Sequence, residues 1–258
     1  MQRKGRVLVL VMILGMLPPA AMADEFRALL DESDSLLKTG LKHVADPDTS
    51  GLYMKAYQLA AKAADMQPGS YEANWKAAQR ARCYCGQIRW FQVKDWKKEC
   101  VRVAKPAMKY GLRAIELEPK RVEGHFWYSC LIGSYADGVS IITALKEGLK
   151  NKTQQALENS LRIDPAYWDY SPYLGMGEFW YLLPWPLKDA AKARDLLEKY
   201  IKHVPPTADN IEEGWVYLGK VLLESKDAND RARGRQYLQK AAAGRFPYFA
   251  AMAREALR

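Results

Sequence analysis

The chain has 258 residues, a formal net charge of +9 and 27% charged residues. Its Lys, Arg, Asp and Glu residues are interspersed without a long block of one sign, which is typical of solvent-exposed helix faces. No nucleic-acid-binding motif accompanies the positive charge. The charge therefore favours an acidic partner or an anionic membrane surface, and identifies neither.

The N-terminus has the features of a secretory signal peptide. A basic run at residues 3–6 precedes an apolar run at 7–17, and small residues up to Ala23 form a cleavage site. The apolar run is too short to span a bilayer, which argues against the alternative of an uncleaved anchor. Asp24, not a cysteine, follows the junction, so a lipid anchor is not indicated. We expect a periplasmic or secreted protein with a signal peptide and a single helical-repeat domain, 1–23 and 24–258.

A helix–proline–helix unit recurs along the rest of the chain. Small and apolar residues share one register before each proline, and the prolines are Pro68, Pro119, Pro165, Pro205 and Pro247. The partner helices carry the motif W-x2-L-G-x2-Y, of which the segment 215–222 departs only at its last position. Strand signals are nearly absent. This pattern predicts an all-α fold, an α-solenoid of about four to five tetratricopeptide-like helix pairs with extra and capping helices.

The mature chain is predicted to begin with a helix and to continue as helix pairs. The predicted helices cover 25–44, 52–67, 71–90, 95–117, 122–135, 152–163, 172–183, 189–203, 211–224 and 231–243, with an apolar insert at 139–149 and a capping tail at 248–257. Pro106 is expected to kink or break the fourth helix. Ser171 and Pro172 are expected to start the helix that follows Pro165, as its N-cap and first residue.

The most specific stretch is VEGHFW at Val122–Trp127, followed by Asp164-Pro165, Leu174-Gly175 and Leu183-Pro184. This combination resembles the T-component (TatT-like) family of TRAP transporters over roughly residues 53–242. The resemblance implies a periplasmic scaffold that binds a TRAP-type solute-binding protein and aids solute uptake, often as a homo-oligomer. The chain lacks the lipoprotein cysteine and the glycine-rich loop expected of that family. A related repeat family of microtubule-associated regulators shares the EGH(F/Y)W pattern, but the export signal argues against that context.

Residues that could support catalysis are sparse. His43, His125 and His203 are far apart, and none lies in a metal-binding motif. No serine lies in a G-x-S-x-G motif. The sequence therefore predicts no enzyme, no metal site and no cofactor.

Aromatic residues are concentrated between residues 126 and 185, and they fit either core packing or a ligand groove. If the face of each partner helix that carries the repeat motif packs inward, the positions at i, i+4 and i+7 line the concave face. These positions are Lys76, Arg80 and Cys83; Phe126, Cys130 and Gly133; Pro172, Met176 and Phe179; and Val216, Lys220 and Leu223. The ligand- or partner-binding residues predicted from them are Lys76, Arg80, Phe126, Met176, Phe179, Val216, Lys220 and Leu223. Such a surface suits a peptide or an amphipathic ligand, and the alternative function is a general peptide-binding adaptor in secretion or envelope assembly.

The four cysteines are an even number in a chain predicted to enter an oxidising compartment. Cys83 and Cys85 point to different sides of one helix. The predicted turn at 91–94 brings Cys100 back alongside them. A bridge from Cys83 or Cys85 to Cys100 is therefore expected, and buried free thiols are the alternative.

Overall fold

The computed structural model describes residues 19–258, so most of the predicted signal peptide lies outside the described residues. Within this range the chain forms twelve α-helices and no strand. The helices are α1 (Pro19–Lys42), α2 (Ser50–Met66), α3 (Tyr71–Trp90), α4 (Trp96–Leu117), α5 (Val122–Gly138), α6 (Ile141–Lys146), α7 (Leu149–Ile163), α8 (Tyr167–Leu182), α9 (Ala190–His203), α10 (Ile211–Leu223), α11 (Ala228–Ala242) and α12 (Pro247–Ala256). The all-α prediction is confirmed, and the insert at 139–149 contains α6.

Side-chain caps set several helix starts. The Ser70 hydroxyl accepts a hydrogen bond from the Ala73 N–H at 3.2 Å and begins α3. The Asp189 carboxylate accepts from the Lys192 N–H at 3.0 Å and begins α9. Each cap satisfies an N–H that has no partner inside the helix, so these local sequences determine where the helices begin.

The chain enters α8 through an unusual turn. Trp168, Asp169 and Tyr170 have φ values of +47°, +56° and +61°, in the left-handed region that large side chains rarely adopt. Regular helical geometry therefore starts at Ser171, one residue before the predicted first helical residue Pro172. The Ser171 hydroxyl donates to the Trp168 carbonyl and accepts from Asn210 Nδ2, so the predicted N-cap hydrogen bond is not made. The turn leaves the Trp168 side chain more than a third exposed at the start of α8.

Pro106 does not break α4, which runs as one helix from Trp96 to Leu117. A proline in a helix interior costs about 3 kcal/mol. The neighbouring Ala104 and Ala107 are completely buried, and α4 packs between α3 and α5. Burial on both sides offsets the lost hydrogen bond, so the predicted break is wrong.

Each helix packs mainly on its neighbours in the chain, as expected of a helical repeat. Close approach depends on small residues: a Cβ on Gly111 would lie 2.9 Å from the Tyr128 Cβ, so only glycine fits between α4 and α5 there. Buried residues of α1 to α7 form one apolar cluster, and those of α8 to α10 form a second. A third cluster joins Val44, α10, α11 and α12.

The C-terminal helix returns to the first half of the chain. The Phe246 ring lies 4.6 Å from the Trp90 ring at the end of α3, and Tyr248 lies 5.7 Å from Trp96, centroid to centroid. Phe246 and Phe249 are completely buried in this contact. The C-terminal segment thus packs against the end of α3, and a large, partly open cavity lies between the helices, where the sequence predicted an open concave face.

Candidate functional site

The cavity has a volume of about 880 Å³, within the range of about 300–1,000 Å³ that is usual for small-molecule sites. Residues of α3, α5, α7, α8 and α10 line it. Its aromatic lining consists of Phe126, Trp127, Trp168 and Phe179. Its polar cluster consists of Arg82, Arg89, Asp137, Glu178, Glu213 and Tyr217.

The aromatic lining is held in place by packing and by one hydrogen bond. The Phe126 ring lies 4.8 Å from Trp127 and 5.4 Å from Tyr167, both edge-on, while Trp168 stands 5.1 Å from Trp127. The Trp127 indole N–H donates to the Tyr167 hydroxyl at 2.8 Å. Edge-to-face contacts of this kind order the rings, so this part of the cavity is rigid and apolar.

Arg89 connects three helices across the polar cluster. Its Nη1 donates to Asp137 Oδ2 at 2.9 Å, and its Nη2 donates to Glu213 Oε1 at 2.5 Å. Both Arg89 and Glu213 are buried, and they are 124 residues apart in the chain. Breaking such a pair leaves a buried charge without a partner. Arg89 therefore stabilises the packing of α3 against α5 and α10.

Glu178 lies beside this ion pair without joining it. Its Oε1 is enclosed and has no hydrogen-bond partner among residues 19–258. Burial raises the pKa of Glu178 well above its usual range, and the negative charge of Glu213 raises this pKa further. Glu178 is thus protonated at a pH where an exposed glutamate is ionised.

Arg82 is a cation that lines the cavity without a direct partner among the described residues. Its guanidinium makes no hydrogen bond or ion pair with any residue in the part of the chain that the structure describes. The side chain lies along Gly86, where a Cβ would meet the Arg82 Nη1 at 2.6 Å. The missing side chain at Gly86 gives the guanidinium room at the cavity surface.

Four enclosed side-chain atoms in the described residues lack a hydrogen-bond partner, and all four belong to residues of this cavity. They are the Tyr53 hydroxyl, Gln87 Oε1, Trp90 Nε1 and Glu178 Oε1. Buried polar groups are hydrogen-bonded in the great majority of cases, and an exception calls for an explanation. Their concentration in one cavity makes this cavity the candidate functional site.

The predicted binding residues divide into two groups. Phe126 and Phe179 line the cavity, together with Cys83, Cys130 and Gly133 from the same predicted face. The middle of that face therefore does turn toward the interior. Whether these residues bind a ligand stays a prediction.

The basic residues of the predicted face do not reach the cavity. Arg80 is buried and paired with Asp34 of α1, and the Lys76 Nζ lies 2.6 Å from the same carboxylate. The Arg80 Nε also donates to the Ser33 hydroxyl at 3.3 Å. The prediction treated this face of α3 as open, but α1 covers it.

The C-terminal part of the predicted face is covered as well. Val216 is completely buried against the apolar cluster around Phe246, and Leu223 packs against that cluster. Met176 is buried outside the cavity, and the Lys220 Nζ lies 5.7 Å from the centre of the Tyr181 ring. The later helices close over these positions, so the expected continuous concave surface does not exist.

The cysteines are free thiols in the structure. The Cys100 thiol donates to the Cys85 carbonyl at 3.6 Å, so these two residues are neighbours, as the predicted turn requires. Cys83 and Cys130 line the cavity instead, and burial raises the pKa of each thiol to about 11. Thiols this weakly ionised are poor nucleophiles.

The sequence contained a signal for the polar cluster that the prediction did not use. Glu178 is the only charged residue between Asp169 and Lys188, and Asp137 is the only one between Glu123 and Lys146. A charge isolated in an apolar helix is costly unless it is paired or functional. Within residues 19–258 the carboxylates do not form a group that could hold a metal ion.

Comparison with known proteins assigns the chain to a family. A family model described as regulator of microtubule dynamics protein 1-3 matches residues 29–194, well over half of the sequence. The chain belongs to this family. No curated protein matches the sequence.

The resemblance to the TRAP T-component family was therefore wrong. Its most specific stretch, Val122–Trp127, lies inside the segment 29–194 that the regulator family matches. The EGH(F/Y)W pattern also fitted the regulator family. That family was not preferred, because the predicted export signal argued against its context. The TRAP solute-binding protein and solute uptake are withdrawn with that resemblance.

Solved structures with a similar fold are tetratricopeptide-repeat proteins. The protein TTC0263 of Thermus thermophilus is 16% identical with a TM-score of 0.56, covering 90% of this chain and 98% of that one. Pseudomonas aeruginosa PilF is 14% identical with a TM-score of 0.41, covering 85% and 91%. The first similarity shows the helical-repeat fold.

Proposed function

We propose that this scaffold holds an elongated amphipathic ligand in its interior cavity. The observation that carries the proposal is the combination of a rigid aromatic lining with enclosed, unpartnered polar atoms in one space. An apolar chain gains by leaving water for the aromatic lining. A polar head supplies the hydrogen bonds that the protein itself leaves unmade.

Packing of the C-terminal segment supports a ligand of limited length. In an open helical repeat an extended peptide can lie along the whole inner face. Here the contact of Phe246 with Trp90 places the C-terminal segment against the end of α3 and bounds the inner face on that side. The two ends of the predicted groove, at Arg80 and at Val216, are covered by other helices, which disfavours a long peptide as the ligand. A general peptide-binding adaptor is therefore the second candidate function.

An uncharged fluorescent dye, N-phenyl-1-naphthylamine, tests the proposal. Gly133 lines the cavity, and a Cβ there meets nothing within 4 Å, so Gly133→Phe adds a ring at the cavity wall with no clash at its Cβ. Gly51→Phe is the matched control, because Gly51 is also open but lies outside the cavity. We expect the wild type and Gly51→Phe to bind the dye, and Gly133→Phe to bind it at least about tenfold more weakly.

Two results would contradict the proposal. The first is a wild-type protein that does not increase the dye fluorescence. The second is equal dye binding by Gly133→Phe and Gly51→Phe, with both variants helical by circular dichroism. Displacement of the dye by an unstructured peptide, but not by an amphiphile, would favour the adaptor.

We also propose that the protein is exported and cleaved between Ala23 and Asp24. Tertiary contacts begin just after this junction, where the Glu25 carboxylate accepts from the Lys62 Nζ at 2.7 Å. Ala20, Met22 and Ala23, on the removed side of this junction, are exposed, so their removal costs little packing. No helix among residues 19–258 has the length and apolar character needed to cross a bilayer. Intact-mass measurement of exported protein tests the cleavage site.

A further inference from the structure

The unpartnered groups of the cavity are mainly hydrogen-bond donors. Arg82 offers a guanidinium with five N–H groups, Trp90 offers an indole N–H, and Tyr53 offers a hydroxyl. Glu178 also donates, since burial raises its pKa and keeps it protonated. Gln87 Oε1 is the one acceptor among these that cannot donate. A ligand that satisfies these donors is therefore rich in acceptor oxygens.

Charge limits the choice further. Arg89 forms ion pairs with both Asp137 and Glu213, so its guanidinium already has carboxylate partners. Arg82 is always ionised and contacts no carboxylate in the described residues. Arg82 and Arg89 together balance the charges of Asp137 and Glu213, but Arg82 touches neither carboxylate, so a carboxylate beside it would supply the direct contact that it lacks. A cationic head would leave Arg82 unpaired, and a dianion would bring excess negative charge toward Asp137 and Glu213.

We propose that the cavity binds an amphiphile with a carboxylate head, and that Arg82 is the residue that binds the carboxylate. The inference rests on the proposed function and names its ligand class. Arg82 donates to the carboxylate oxygens in the bidentate geometry that a guanidinium favours. The protonated Glu178 carboxyl stands next to this position and donates a further hydrogen bond.

The proposed site depends on the protonation of Glu178. The charged and titratable groups that face it are Arg82 and Arg89 of α3, Cys130 and Asp137 of α5, and Glu213 and Tyr217 of α10. Loss of the Glu178 proton would remove a donor and place a second anion beside the ligand. Carboxylate binding should therefore weaken as the pH rises, and Glu178→Gln should remove this dependence.

Dye displacement by amphiphiles of one chain length tests the head group. The probes are dodecanoate, methyl dodecanoate, dodecyl phosphate and dodecyltrimethylammonium, each below its micelle concentration. We expect dodecanoate to displace the dye from the wild type at concentrations at least about tenfold lower than each of the other three, because hydrogen bonds to charged groups are among the strong ones. Arg82→Met should abolish the preference, and Arg82→Lys should restore part of it. Arg235→Met is the matched control: Arg235 is exposed on α11, away from the cavity.

The outcomes separate the two proposals. If the dye binds and Gly133→Phe blocks it, but dodecanoate has no advantage over its methyl ester, the carboxylate site is wrong and the ligand cavity stands. A preference for dodecyl phosphate or for the cation also overturns the carboxylate assignment, as does a folded Arg82→Met variant that keeps the dodecanoate preference. Absence of dye binding by the wild type overturns both proposals.

A second series at about pH 6 and about pH 9, where dodecanoate is ionised, should show weaker binding at the higher pH in the wild type only. Equal binding at both pH values by the wild type would remove Glu178 from the site.

Discussion

The contact between the C-terminal segment and the end of α3 should be essential for stability, and Phe246→Ala tests it. Phe246 is completely buried, with ring centroids 4.6 Å from Trp90, 5.8 Å from Phe91 and 6.3 Å from Phe249. Truncation of a buried phenylalanine costs about 3–5 kcal/mol. Three aromatic neighbours place this site at the upper part of that range, since each ring pair adds to the energy of burial alone. Native proteins have only about 5–15 kcal/mol of stability in total.

Urea denaturation followed by circular dichroism measures the effect. With a slope of about 1–3 kcal/mol per M, a loss of this size lowers the midpoint by roughly 1 M or more. Trp185→Ala is the aromatic control: Trp185 is 90% exposed, and its removal should change stability by no more than about 0.5 kcal/mol. The same variants are tested for dye binding without urea. A loss below about 1 kcal/mol for Phe246→Ala would mean that α12 does not pack on α3 in solution. Unchanged dye binding by the destabilised variant would show that the cavity does not need this contact.

Two further predictions concern buried contacts. Glu213→Gln leaves the buried Arg89 with Asp137 alone and should lower the free energy of unfolding by about 3–5 kcal/mol in the same urea assay, whereas removal of an exposed ion pair costs at most about 1 kcal/mol. Oxidised protein should contain a bridge between the neighbouring Cys85 and Cys100, seen as the loss of two hydrogen atoms in the mass of the peptide pair; four free thiols in unreduced, denatured protein would reject it.

The helices could be predicted from the sequence because their signals are local. The predicted bounds of α3 match the structure, and regular geometry in α8 begins one residue before the predicted Pro172. Proline restrictions, side-chain caps and apolar periodicity act within a few residues. These signals required no knowledge of the tertiary structure.

The C-terminal contact and the polar cluster could not be predicted in the same way. Arg89 and Glu213 are 124 residues apart, and neither lies in a motif that marks the other as its partner. The predicted concave face requires that every repeat presents the same face of its partner helix to the interior. That requirement holds at Phe126 and Phe179, but α1 covers Arg80 and the C-terminal helices cover Val216.

The wrong family assignment has a structural reason. His125 Nε2 lies 2.9 Å from the Pro119 carbonyl, and Phe126 and Trp127 are buried. The VEGHFW stretch thus encodes how α5 packs and how the preceding turn is held. Residues that encode packing are shared wherever the fold is shared, and they carry no information about a partner.

The isolated carboxyl of Glu178 provides a last prediction that separates a binding residue from a structural one. Because its pKa is raised in the folded protein, Glu178 keeps its proton over a pH range in which the unfolded chain has lost it. The folded state then holds one more proton than the unfolded state, and the free energy of unfolding falls by about 1.4 kcal/mol per pH unit as the pH rises from about 4.3 toward the folded-state pKa. Glu178→Gln cannot lose a proton, so the variant should be as stable as the wild type near pH 4 and progressively more stable above it. Urea midpoints of both proteins across the pH range measure the difference, which cancels the titration of all other groups.

A carboxyl retained for ligand binding should show this gain in stability together with the loss of pH-dependent dodecanoate binding, since function is what a destabilising buried group is kept for. Parallel stability curves for the two proteins would show that folding does not raise the pKa of Glu178, and its assigned role in the cavity would fall.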